Sequence, residues 1–379
     1  MRYYASPFFF NKIIMRRTIL AVSTLSLFAL SGCAVSHLPT EQGATLKALA
    51  QAHHVCAVAV AVIRNRQLAA VDTAAGCQPE PALRPDSVFQ AASLGKPVFA
   101  YAVLQLAAQG RLALDVPLVT YLPQGYRHQY SPVQAEPSEL VTDPRLQAVT
   151  ARMVLNHTSG LPNWASGPLR FDAEPGIKWG YSGEGYVLLQ RAVEALTGLP
   201  LDQFMAVQVF EPLAMHHSSY AWHEGMAPLP GTKANGSLRP TRNVTTPVAA
   251  FSLYTTAEDY GKFFARLLAD DSVLRQLTAS PVTVEPGLGL SWGLGLGMEQ
   301  DRQDTYVWQW GNNLGYRAFV IGSVSTGDGL VMLTNSENGL ALAEPLTRQV
   351  LPGEHKVFQF SYLGGGMLNR LCNTLHVCL

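Results

Sequence analysis

Residues 88–110 read VFQAASLGKPVFAYAVLQLAAQG. The apolar start suits a short buried strand. The run that follows predicts a helix from about Ser93 to Ala108, stopped by Gly110. Pro97 has no N–H and crowds the preceding turn, so the helical ladder is expected to begin at or after it. Ser93 and Lys96 are three residues apart, which sets both side chains on one helical face. A serine hydroxyl is a weak nucleophile near neutral pH until a base removes its proton. A lysine one turn away is such a base if burial or a nearby cation lowers its pKa. The competing reading is an ordinary helix start with a solvated lysine. The apolar approach to Ser93 and the scarcity of lysine in this chain favour chemistry.

Moving outward, residues 44–54 read as a helix, and Ala57–Val62 as a strand with two apolar faces that Leu68–Thr73 pairs on return. Tyr186, Leu189, Val193 and Leu196 follow helical spacing up to Gly198. Thr255-Thr256-Ala257-Glu258 resembles a capping box opening a helix with Tyr260, Phe263, Phe264, Leu267 and Leu268 on its buried stripe. Strands are expected at Thr305–Gln309, Tyr316–Gly322 and Leu330–Thr334, and a helix at about Leu340–Val350. Strands at both ends around a helical middle predict an α+β fold. Its antiparallel sheet, flanked by helices, is formed from residues 44–115 and 251–353, with a mainly helical domain inserted at 116–250. Residues 354–379 read as a C-terminal tail without an assigned role.

The chain has 379 residues, with 27 cationic and 27 anionic side chains and 14% charged residues. That balance excludes a nucleic-acid groove, which needs clustered positive charge. Arg16-Arg17 precede the apolar run Thr18–Leu30, shorter than the roughly 20 residues of a membrane span, so residues 1–33 read as an export signal. Leu30-Ser31-Gly32-Cys33 resembles a bacterial lipobox, which makes Cys33 a lipidation site and the membrane a partner through that anchor. Simple cleavage to a lipid-free product is the alternative. The expected location is the periplasm. Export permits disulfides, and Cys56 and Cys77 sit symmetrically about the predicted turn near Arg66 and Gln67, favouring a Cys56–Cys77 bridge. Cys372 and Cys378 are left for local pairing.

FQAASLGKPVFAYAVLQLAAQGRLALDVPLVTYLP (89–123) resembles the nucleophile helix of class C β-lactamase-type serine hydrolases, a family that includes penicillin-binding proteins, D-alanyl-D-alanine carboxypeptidases and esterases. MVLNHTSGLP (153–162), PGIKWGYSGEGYVLLQRAVEALTG (175–198), LSWGLGLGMEQ (290–300), WQWGNNLGYRAFV (308–320) and LTNSENGLALAEPL (333–346) resemble its later blocks, in order, over about 44–353. The resemblance implies Ser93 as nucleophile, Lys96 as base and Tyr181 as a second proton carrier, its phenolate favoured by cations such as Lys96. It implies an oxyanion hole from the N–H groups of Ser93 and Asn312, with Gln309, Trp310 and Gly311 beside the substrate. Two departures stand out. Gly183 occupies a position where relatives often carry Asn, and Gln309 one where they carry Lys or His. Glutamine offers hydrogen bonds but no charge, which tilts the expectation from a fast β-lactamase toward an ester-tolerant hydrolase. Arg317 is a candidate to replace the missing cation.

Two decoys are set aside. Gly289-Leu290-Ser291-Trp292-Gly293 fits a nucleophile elbow, but a glycine-rich stretch follows where a helix is required. His216, His217 and His223 lack the spacing of a zinc site, so neither metal nor cofactor is expected. His157 reads as a loop or core histidine. The sequence therefore predicts a serine hydrolase forming an acyl-enzyme on a β-lactam, a D-amino-acid amide or a small ester. Its rival is a penicillin-recognising or wall-binding module with little turnover.

Overall fold

The computed structural model describes residues 44–363; the export signal, Cys33, Cys372 and Cys378 lie outside them. Helix α1 (Leu46–Ala52) leads into the hairpin β1 (Val58–Arg64) and β2 (Gln67–Ala74), then the short strand β3 (Phe89–Ala92) and helix α2 (Gly95–Ala108). The middle holds a second hairpin, β4 (Arg127–Ser131) and β5 (Gln134–Leu140), with helices α3 (Ala151–Leu155), α4 (Gly183–Thr197) and α5 (Leu201–Met205). Strand β6 (Leu253–Thr255) precedes α6 (Ala257–Ala269) and α7 (Asp271–Thr278). Next come β7 (Val282–Glu285), β8 (Leu290–Trp292), β9 (Gly297–Gln300), β10 (Thr305–Asn313), β11 (Tyr316–Ser323) and β12 (Gly329–Thr334), and then α8 (Ala343–Val350).

Eight strands form one antiparallel sheet in the order β2-β1-β12-β11-β10-β9-β8-β7. The first hairpin is thus completed by the last strand, with Val58 opposite Thr334. Alternation along β1 explains its two apolar faces. Ala59, Ala61 and Ile63 face the core on the side covered by α6, while Val58 and Val60 join Trp292, Trp308 and Met332 in a second cluster with residues of α1 and α8. Cys56 and Cys77 form a disulfide at the base of the hairpin.

Two local expectations need correction. Helix α2 begins at Gly95, ahead of Pro97, because a proline in the first turn sits where no intrahelical N–H bond is required. The cap of α6 is Thr256, whose hydroxyl accepts from the N–H of Asp259, one residue later than the capping box placed it. Residues 354–363, read as the start of a tail with no assigned role, are packed: Phe360 is buried against Trp308 and Trp310, and Val357 is buried in the same cluster. Among the described residues no helix is long and apolar enough to cross a membrane.

Candidate active site

Strand β3 delivers the chain to Ser93 through Ala92, a non-glycine residue at φ +51°, in the sparsely populated left-handed region. Such strain persists only where surrounding structure enforces it. Here β3 is held on one side by β6. On the other, Gly311 of β10 comes so close that a Cβ there would lie 2.4 Å from the carbonyl oxygen of Ala91. The close approach expected of Gly311 is therefore to the nucleophile strand rather than to a substrate. Gln90 extends the brace, accepting from Asn313 Nδ2 at 3.0 Å and donating to the carbonyl of Arg242 at 3.2 Å.

Ser93 and Lys96 line a cavity of about 1080 Å³. Lys96 Nζ lies 3.1 Å from Ser93 Oγ and donates to the carbonyl of Ala250 at 2.7 Å. Its ammonium is fully buried, and desolvation brings its pKa down to about 7. A substantial fraction of the amine is therefore unprotonated at neutral pH and able to accept the serine proton.

The rings of Tyr181 and Tyr186 lie 4.9 and 5.5 Å from Lys96 Nζ. Burial pushes the Tyr181 phenol well above its ordinary pKa, with Ser93 and Gln309 only partly offsetting this. Burial thus works against the phenolate expected of Tyr181, while it favours the neutral amine expected of Lys96. Tyr181 is held from several sides. Its ring packs 5.0 Å from Trp310 and 4.4 Å from His157, and His157 Nδ1 accepts the N–H of the adjacent Ser182 at 3.1 Å. That bond puts the imidazole proton on Nε2, and burial keeps the ring neutral. His157 thus positions Tyr181 and is no base.

The third motif divides. Trp310 and Asn312 line the cavity, whereas Gln309 is buried behind it with its Oε1 accepting from the N–H of Trp310 at 3.0 Å. Its side chain is not part of the cavity lining and lies within reach of the Tyr181 phenol. Arg317 does not replace the missing cation. Its guanidinium donates to the carbonyls of Asn313 and Tyr316, at 2.9 and 2.8 Å, and holds the β10–β11 turn. Gly183 also has a steric explanation: a Cβ there would lie 2.6 Å from the Trp164 ring and 2.7 Å from the Asn163 carbonyl oxygen. The loop carrying Asn163 and Trp164 occupies the space an asparagine would need.

The decoys fall away from the cavity. Ser291 lies within β8. His216, His217 and His223 are exposed, and among the described residues no three His, Cys, Asp or Glu side chains are grouped to hold a metal. Sequence reasoning missed Trp164 and Tyr362, both at the cavity. Trp164 carried a faint signal as a tryptophan in a Pro- and Gly-rich loop; Tyr362 carried none.

A mixed fold with one large antiparallel sheet flanked by helices, and a serine–lysine pair at the start of a helix beside it, defines a serine hydrolase of the β-lactamase/transpeptidase type. A D-stereospecific amidohydrolase from a Streptomyces species shares this fold, with a TM-score of 0.62 and 20% identity over 83% of this chain and 98% of that one. The Beta-lactamase family model matches residues 43–353, and the chain belongs to that family. Esterase EstB of Burkholderia gladioli is 28% identical over 329 residues, 67% of this chain and 79% of that protein. Penicillin-binding protein 4 of Amycolatopsis lactamdurans is 31% identical over 183 residues, 45% of this chain and 46% of that protein.

Proposed function

We propose that the protein hydrolyses esters or D-amino-acid amides through an acyl-enzyme on Ser93. The observation that carries this reading is Lys96 Nζ, buried, with a pKa near 7, 3.1 Å from Ser93 Oγ. Ser93 Oγ attacks the substrate carbonyl and Lys96 takes its proton. The N–H groups of Ser93 and Asn312 meet the developing oxyanion, a contribution of about 10²–10³ in rate per donor. Tyr181 gives its proton to the departing alcohol or amine and is reprotonated by Lys96. Water then attacks the acyl ester, and Lys96 accepts its proton and passes it to Ser93 Oγ as the carbon–Oγ bond breaks and the acid leaves. The members of the third motif that do line the cavity, Trp310 and Asn312, are uncharged, which weighs against substrates that require a carboxylate anchor beside the reacting carbonyl, β-lactams among them.

Export and a lipid anchor at Cys33 belong to the same proposal, supported by the apolar leader and by the Cys56–Cys77 bridge, which suits an oxidising compartment. Intact-mass spectrometry with p-nitrophenyl acetate, a D-amino-acid amide and a penicillin tests the function. The expected result is turnover of the ester or the amide that Ser93→Ala abolishes. A stable penicillin adduct on Ser93 without turnover of any substrate supports the binding module instead, and hydrolysis surviving in Ser93→Ala overturns the nucleophile.

A further inference from the structure

Eight large hydrophobic side chains are exposed among the described residues, and four of them, Val133, Trp164, Leu314 and Tyr362, border the cavity that holds Ser93. They come from separate segments: the β4–β5 turn, the Asn163–Trp164 loop, the β10–β11 turn and the strap after α8. Exposed apolar side chains scattered singly need no explanation, but a group of them around one cleft marks where an apolar partner is received.

The two aromatic members are held in place. Trp164 packs edge-on to Phe251, with ring centroids 5.5 Å apart. Tyr362 stacks on the buried Phe360 at 5.2 Å. The strap beneath it is tied down by Glu299, whose carboxylate accepts the N–H groups of Lys356 at 2.6 Å and Val357 at 3.2 Å. Most charges lining the cavity are already engaged. Lys96 serves Ser93, Glu184 lies 3.3 Å from His128, and Arg239 binds Glu337 at 2.9 Å. Arg242, exposed in the 239–246 loop, is the exception.

We infer that the substrate is a neutral ester carrying a large apolar group, a medium-chain alkyl or an aryl, which Val133, Trp164, Leu314 and Tyr362 cover while its carbonyl meets Ser93. The inference rests on the hydrolase reading and names the substrate class within it. The ester C–O bond breaks as the Ser93 Oγ–carbon bond forms. Water then replaces the serine oxygen, and an alcohol and a carboxylic acid are released with no change of oxidation state.

The test is kcat/KM of the full chain for p-nitrophenyl acetate, butyrate and octanoate, and for the p-nitrophenyl monoester of glutaric acid, which carries a free carboxylate. Covering additional methylenes should raise kcat/KM about tenfold or more from acetate to octanoate. Trp164→Ala and Tyr362→Ala should each cut the octanoate-to-acetate ratio about fivefold, mainly through KM, with Leu314→Ser smaller in the same direction. Ile177→Ser, an exposed apolar site that does not line the cavity, should leave the ratio unchanged. Acetate turnover that depends on Ser93 but with a flat or falling chain-length profile, or a ratio indifferent to both aromatic variants, overturns this inference and leaves the hydrolase reading standing. Preference for the glutaric monoester also overturns it and points to Arg242 as an anion anchor. No turnover of any ester that depends on Ser93 overturns the ester class itself.

Discussion

Ser93 and Lys96 meet because the tight turn that leads into α2 joins them, with the Lys96 N–H on the Ser93 carbonyl at 3.0 Å; Trp164 and Tyr362 border the same cavity from distant parts of the chain. The floor of the cavity is local, buried and chemically reactive. Its mouth is assembled from four segments and exposed. On the floor the chemistry depends on hydrogen-bond distances, and β6 and β10 hold the nucleophile strand β3 from either side. At the mouth the contacts are apolar and tolerant of small changes. Reaction and selectivity are therefore separable in this molecule, and each can be altered with limited cost to the other.

The sharpest way to break that separation is at the base. Lys96→Ala should lower kcat/KM for every ester about 10³-fold or more, irrespective of chain length, because among the described residues no other lysine is buried. A loss that depends on the acyl group would mean that floor and mouth are coupled. Tyr181→Phe removes only the proton carrier and should cost about 10²-fold, more for substrates with poor leaving groups than for nitrophenyl esters. Near-normal rates with an alkyl ester or an amide would remove Tyr181 from the proton path.

Smaller effects sharpen the picture of the mouth. Gly183→Asn forces a side chain into Trp164 and the Asn163 carbonyl, so a loss of about 2 kcal/mol in thermal or denaturant unfolding is expected. Equal stability would show that the loop moves aside freely. Glu299→Ala strands the N–H groups of Lys356 and Val357 and should cost about 2 kcal/mol while reducing selectivity for long acyl groups. Retained selectivity would show that Phe360 and Val357 suffice to hold the strap. The mildest probe is pH. A lysine with its pKa lowered to about 7 is protonated and inactive as a base below that value. The kcat/KM for an uncharged ester should therefore climb about tenfold per unit up to pH near 7 and level off above it. A profile flat down to pH 5 would exclude Lys96 as the base.

What could be read in the sequence follows the same division. Spacing on one helix brought out Ser93 and Lys96, and alternation and turn residues brought out the β1–β2 hairpin and the strands after residue 305. These are short-range properties. What could not be read depended on what packs from afar. Gln309 is buried off the cavity lining, Arg317 is taken up by turn carbonyls, and the shifts of Lys96 and Tyr181 rest on burial that no local pattern reports. Tyr362 was invisible for a similar reason: nothing in its neighbours discloses that Glu299 will secure the strap. Pro97 and Thr256 were misplaced by a residue or two, where helix ends are set by capping bonds that several neighbouring residues can supply.

The pairing of β1 with β12 carries a consequence for assembly. The first hairpin emerges from the ribosome with one long edge open and must wait for nearly the whole polypeptide before that edge is closed. Closing so large a loop is entropically slow and keeps the sticky edge available to other chains in the meantime. Until that last strand arrives, the open edge of β1 is the place where pairing with another chain is expected.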